Sequence, residues 1–280
     1  MTAFKTVCEK ILVPMFGSVL LVLALAYLGI CFYVFLRQRS MLYHPETLPE
    51  EQMLALAGAQ GLARWTDSSG RPLGWVTDGR SPARPVLILH GNAGNALDRN
   101  ALVAMLREAG AGAKIYLVDY PGYGAAPGSP DQKSLISAAV AALDALPEPV
   151  IVVGESLGSG IAAQAATQRP EKILGLVLIT PFDSLSAAAA HHYPWLPVRL
   201  LLLDRFDSVK ALKKFTRPVA IVIGERDGTT PPEGGRRLFD SLSGPKKLWV
   251  SPGADHNEAA FALPAADWRA LWEFVSSGQQ

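Results

Sequence analysis

The chain has 280 residues, of which 49% are hydrophobic, and a formal net charge of +1. Charges that nearly cancel exclude the electrostatic footprint of a nucleic-acid binder, and the length suits one medium-sized domain with a substantial core. Cys8 and Cys31 both precede the stretch with globular patterning, and no Cys/His cluster has zinc spacing, so neither an internal disulfide of the domain nor a metal is expected.

Residues 1–10 form a short tail with Lys5 and Lys10. From Ile11 to Leu36 no residue is charged. A helix rises 1.5 Å per residue, so about 20 residues cross a hydrocarbon core; residues 11–36 are expected to be a single transmembrane helix that anchors the protein. The competing reading is a signal peptide, whose apolar stretch would be shorter and end at a small-residue cleavage site; no good site follows here. Basic residues lie on both sides, Lys5 and Lys10 before the span and Arg37 and Arg39 after it. The positive-inside rule tilts toward a cytoplasmic N-terminus, by a margin that leaves the side of the domain open.

Residues 37–61 are expected to be a juxtamembrane connector, and 62–280 the folded domain. Leu62–Thr66 and Leu73–Thr77 look like a hairpin around the turn signal DSSGRP. Strand and helix patterns then alternate. Strands are expected at Val86–His90, Ile115–Asp119, Val150–Gly154, Leu174–Thr180, Val219–Gly224 and around Lys247–Ser251. Helical spacing covers Leu97–Ala109 and Leu157–Gln168, and another helix is expected to start at Ser129 as cap, with Pro130 first in the helix. Trp268, Leu271, Trp272 and Val275 repeat at helical spacing near the C-terminus. Continuous apolar strands alternating with amphipathic helices predict an α/β fold: a mostly parallel sheet of about eight strands covered by helices on both faces. The stretch of about 182–217 leaves room for only a small helical cap.

Ligands of such sheets sit beyond the carboxyl ends of the strands, so the polar residues there are the candidates. Gly154-Glu155-Ser156-Leu157-Gly158 follows the fifth strand, in the strand-to-helix setting that a nucleophilic serine on a sharp turn requires. A serine hydroxyl needs a base. Of five histidines, only His256 lies in a loop after a late strand; His90 ends a buried strand and is expected to be structural. Asp227 follows the seventh strand and is the expected partner of the imidazole, with Asp183 as the alternative. Asp255 adjoins His256 in sequence and is badly placed to bond its ring. Acyl transfer also needs donors for an oxyanion: the backbone N–H of Leu157, and that of Asn92 or Ala93 in the loop after the third strand. Tyr123, Phe182 and Trp195 are expected to line the substrate site.

At these positions the chain resembles the α/β-hydrolase superfamily, and within it the membrane-anchored group of Bem46-like proteins and abhydrolase-domain depalmitoylases. HGNAGN at 90–95, DYPGYG at 119–124, GESLGSG at 154–160, TPFDSL at 180–185, ERDGTTP at 225–231 and ADHN at 254–257 carry the resemblance, with Tyr43-His44-Pro45 after the apolar span. Three positions depart from the group: Pro121 stands where arginine is common, Thr230 where an aliphatic residue is usual, and Asp255 where glycine is frequent. The resemblance implies hydrolysis of an acyl ester or thioester through an acyl-enzyme, without a cofactor. The substrate would be a small-molecule or lipid-like acyl compound, or an acylated protein. Peptidase activity or a non-catalytic scaffold on the same fold are the alternatives.

Overall fold

The computed structural model describes residues 2–79, 84–112 and 114–277, with side chains from residue 15 onward. Met1, the last three residues of the expected domain, and the side chains of Lys5, Cys8 and Lys10 lie outside the described residues. One long helix, α1 (Thr2–Leu42), runs through the expected tail and span into the expected connector. Its residues 15–42 are long and apolar enough to cross a membrane. Phe16, Leu20, Leu28, Phe32 and Leu36 are all exposed on it, a surface no soluble helix sustains without a partner.

Residues 37–61, expected as a connector, are ordered: α1 ends at Leu42, and α2 (Glu50–Ala59) buries Met53 and Ala57. Leu54 and Leu56 on the same helix stay exposed.

Eight strands follow: β1 (Leu62–Thr66), β2 (Pro72–Thr77), β3 (Val86–Leu89), β4 (Ile115–Val118), β5 (Val150–Glu155), β6 (Ile173–Ile179), β7 (Val219–Gly224) and β8 (Lys246–Ser251). They form one sheet in the order β8-β7-β6-β5-β3-β4-β2-β1. β1–β2 and β2–β4 pair antiparallel and all other neighbours pair parallel. The helices flanking the sheet are α3 (Asn100–Glu108), α4 (Gln132–Ala145), α5 (Leu157–Gln168), α9 (Pro232–Ser241) and α10 (Ala265–Ser276).

Both faces are buried, which is why the central strands are apolar without alternation. Val150 and Val152 join one core layer with residues of α4 and α5; Ile151 and Val153 join the other with residues of α3 and α10. Each such side chain contributes about 1.5–3 kcal/mol by leaving water.

Ser129 does not cap α4. Asp131 does: its backbone is extended, its carboxylate accepts from the Ser134 amide at 2.7 Å, and the Ser134 hydroxyl receives the Asp131 amide at 2.9 Å. A reciprocal capping box two residues on outcompetes the expected serine. The cap consists of α6 (Leu185–His192) and α7 (Val198–Leu201). A bridge between Ser184 and Asp207 closes it, and α8 (Ser208–Leu212) then returns to the body, where Leu212 joins the core layer of α5.

His90, just after β3, is enclosed by Tyr120 and Tyr123, with ring centroids 4.1 and 5.1 Å away. Its Nδ1 lies 2.8 Å from the Gly91 carbonyl, which fits the tautomer that donates there, and Nε2 has no partner among the described residues. Burial, helped by the Arg99 charge, pushes its pKa down to about 3. From pH 6.5 down to about 3, the unfolded chain therefore holds a proton that the folded chain refuses. Acid thus costs folding stability at this residue. Measured by urea unfolding in detergent, stability of the wild type should fall relative to His90→Gln across this window. A pH-independent difference would show that residue 90 is not neutral in the folded chain.

Candidate active site

The β5–α5 turn presents Ser156. Its φ is 51° and ψ is −115°, a sparsely populated conformation that costs about 1–3 kcal/mol. Backbone bonds hold it there. The Ser156 amide donates to the Ile179 carbonyl at 2.9 Å, and the Ser156 carbonyl accepts from the Ser159 amide at 2.9 Å and hydroxyl at 2.6 Å. The flanking glycines are required by contact. A Cβ at residue 158 would lie 1.9 Å from the Leu89 carbonyl oxygen, and one at 154 would lie 2.6 Å from that of Gly158.

Three strand-end loops converge on this turn. His256 Nε2 lies 2.9 Å from Ser156 Oγ, and His256 Nδ1 lies 2.7 Å from Asp227 Oδ2. The ring therefore suits the tautomer with a proton on Nδ1, which donates to the carboxylate and leaves Nε2 to accept from the serine. Asp227 Oδ1 accepts from the Thr229 and Thr230 amides at 2.9 and 2.8 Å. Burial draws this carboxyl upward, yet the bond and charge of His256 and the bonds from Thr230 outweigh it and hold its pKa below the ordinary value.

Thr230, one of the three departures from the group, adds a contact that no strand or helix pattern signals. Its hydroxyl lies 2.8 Å from Asp227 Oδ2, 3.0 Å from the Thr180 carbonyl and 3.1 Å from His256 Nδ1. This hydroxyl sits where the carboxylate, the imidazole and the end of β6 meet, and its single proton goes to the nearer acceptor, Asp227.

The oxyanion candidates flank the serine. The Leu157 amide opens α5, where no carbonyl lies one turn back to accept it. A Cβ on Gly91 would stand 3.7 Å from Ser156 Cβ, so the 91–93 loop passes directly beside the nucleophile candidate. The Asn92 carbonyl is held by the Tyr123 hydroxyl at 2.7 Å and the His44 amide at 2.9 Å; its side chain donates to the Leu42 carbonyl at 2.8 Å. The Asn92 side chain is thus engaged with Leu42, which leaves its backbone amide as the candidate donor. Ala93 is exposed and lines, with Arg99, Glu155, His256, Ala260 and Phe261, a cavity of about 400 Å³. Arg99 pairs with Glu155 at 2.9 Å across its wall.

The other candidates lie elsewhere. Asp183 binds Arg237 at 2.7 Å and the Ser184 amide at 2.7 Å. Asp255 accepts from the amides of Asn257 and Glu258, fixing the turn of its loop. Tyr123 and Phe182 are buried: Tyr123 supports the 91–93 loop from behind, and Phe182 packs against Gly160. Trp195 is exposed on the cap beside α1, where its carbonyl accepts from the Tyr27 hydroxyl at 2.9 Å.

Sequence patterns also missed how α1 meets the cap. Gln38 bonds the Leu201 carbonyl at 3.1 Å and the Leu203 amide at 2.8 Å. Buried Asp204 accepts from Arg39 at 3.1 Å, Tyr43 at 3.0 Å and the Gln132 amide at 3.2 Å. Cys31 is enclosed with Leu196 and Val198.

A family model described as alpha/beta hydrolase fold matches residues 84–217. The uncharacterized protein Rv2307c of Mycobacterium tuberculosis is 35% identical over 253 residues, covering 86% of this chain and 88% of its own. Protein bem46 of Schizosaccharomyces pombe is 28% identical, with 63% of this chain and 62% of its own covered. Lysophosphatidylserine lipase ABHD12 of Danio rerio is 26% identical, with 66% and 54% covered. Among solved structures, the Pyrococcus furiosus esterase PF2001 superposes with a TM-score of 0.63 at 17% identity, over 85% of this chain and 98% of its own. The sheet order, the turn at Ser156 and these relatives agree: the chain belongs to the alpha/beta hydrolase family.

Proposed function

We propose that the protein is a membrane-anchored serine hydrolase that cleaves an acyl ester or thioester. The observation that carries this reading is the unbroken chain of short contacts from Asp227 through His256 to Ser156, set at the N-terminus of α5. Ser156 Oγ attacks the acyl carbonyl as its proton passes to His256 Nε2. Asp227 steadies the imidazolium that results. The amides of Leu157 and of Asn92 or Ala93 receive the charge that develops on the carbonyl oxygen. The protonated His256 hands its proton to the departing alcohol or thiol, leaving an acyl-serine. Water, activated by His256, then releases the acid and regenerates Ser156.

A lipid-like substrate is supported by the apolar helix and by the name of the ABHD12 relative, a lysophosphatidylserine lipase. An anchor, as opposed to a cleaved leader, is supported by the contacts that Tyr27 and Cys31, inside the apolar run, make with the cap. A leader destined for removal gains nothing from contacts with the mature domain.

Three outcomes are expected. A fluorophosphonate probe should label the wild type and not Ser156→Ala; a folded wild type that resists labelling would refute the hydrolase. His256→Ala and Asp227→Asn should lower kcat by about four orders of magnitude, while Asp183→Asn stays near wild type; the reverse ranking of the two aspartates would reassign the acid.

Thr230→Val removes a hydrogen bond to an ionised group. It should lower kcat roughly ten- to hundredfold, with Thr230→Ser restoring activity. Equal rates for all three residues would remove Thr230 from the mechanism.

A tag at the N-terminus should remain on labelled enzyme in the membrane fraction. Labelled enzyme that has lost it would identify α1 as a leader.

A further inference from the structure

Helix α1 and the cap enclose an apolar groove between them. Val34, Met41 and Leu42 of α1 face Leu185, Ala189 and Leu201 of the cap across a cavity of about 130 Å³. Both walls are fastened to the loops beside Ser156. On one side, α1 ends at Leu42, whose carbonyl is held by the side chain of Asn92 in the 91–93 loop. On the other, α6 ends at His192, whose Nε2 lies 2.8 Å from the carbonyl of Thr229, two residues after Asp227. Each wall of the groove is therefore fastened to a loop that flanks Ser156, one through Asn92 and the other through Thr229.

The groove also lies at a particular height. It begins at Val34, near the end of the uncharged run, and ends at Leu42, beyond Arg37 and Arg39. In a spanning helix this is the level where hydrocarbon gives way to headgroups. A chain drawn from the bilayer along the exposed apolar side of α1 reaches the groove without crossing water. The cavity beside His256 has a mixed lining, with the Arg99–Glu155 pair beside Ala260 and Phe261, and so offers charged partners that the groove lacks.

We propose that this groove holds the acyl chain of a membrane lipid substrate, so that α1 is one wall of the substrate site as well as an anchor. The proposal rests on the hydrolase reading above and adds the substrate class to it. The polar remainder of the lipid, the leaving group, then occupies the cavity lined by Arg99 and His256. Selectivity for chain length is set between α1 and α6, not within the sheet-bearing body.

The test uses the full chain in detergent micelles and p-nitrophenyl esters of acetate, butyrate and octanoate. Burial of each methylene is worth about 0.8 kcal/mol, or roughly fourfold, so kcat/KM of the wild type should climb steeply along the series. Ala189→Trp and Val34→Trp fill the groove from opposite walls. In both, the octanoyl-to-acetyl ratio of kcat/KM should fall toward one; taking the ratio within each variant cancels any general loss of active enzyme. A ratio that stays at the wild-type value in both variants, or a wild type indifferent to chain length, overturns the groove while the hydrolase stands. A wild type that neither takes the fluorophosphonate nor cleaves any of these esters overturns the hydrolase reading first, and the groove with it.

Discussion

The site depends on one close approach of backbone to backbone. At the β5–α5 turn the start of α5 presses against the end of β3, near enough that any Cβ at residue 158 would overlap the Leu89 carbonyl. That pressure is what lets Ser156 keep a positive φ, with its hydroxyl raised above the sheet and its carbonyl locked by Ser159. Relaxing the turn would lower the serine into the helix, where it would be an ordinary cap. The strain is small beside the apolar burial of β3, β5 and β6, whose residues are almost all below 3% exposed on both faces. The sheet can therefore hold a conformation that a loop could not.

Around that turn, the polar contacts are arranged by sign and direction. The imidazole receives from the serine and donates to a carboxylate that is itself fed by two amides and a hydroxyl. A buried carboxylate with so many donors stays ionised, and an ionised carboxylate is the group that can stabilise a positive ring. Nearby His90 takes the opposite course. It has aromatic neighbours and a cationic one but no carboxylate partner among the described residues, and its lowered pKa suits a neutral support for the loop it precedes.

The N-terminal helix belongs to this arrangement mechanically. Asp204 gathers donors from α1, from Tyr43 and from the start of α4 at one buried point. The segment after it makes a short parallel pairing, His44 and Pro45 with Ala93 and Gly94. The 91–93 loop is thus stitched to the residues that follow α1, and a displacement of the helix would reach the loop beside Ser156.

The sequence by itself determined the apolar helix, the eight strands and their mostly parallel class, because unbroken apolar runs and helical periodicity are local properties of the chain. It also determined which polar residues stand at strand ends, and so marked Ser156, Asp227 and His256. Tertiary structure alone decided which of Asp227 and Asp183 meets the imidazole, since both follow strands and only packing sends one to His256 and the other to Arg237. It decided that Asp131 and not Ser129 caps α4, that Tyr123 and Phe182 face inward, and that residues 37–61 form ordered structure with α2 within it. It decided the reach of Thr230 and the seating of α1 on the cap. Each of these rests on partners far apart in the chain, more than 160 residues in the case of Arg39 and Asp204, and no local pattern carries information about a partner so distant.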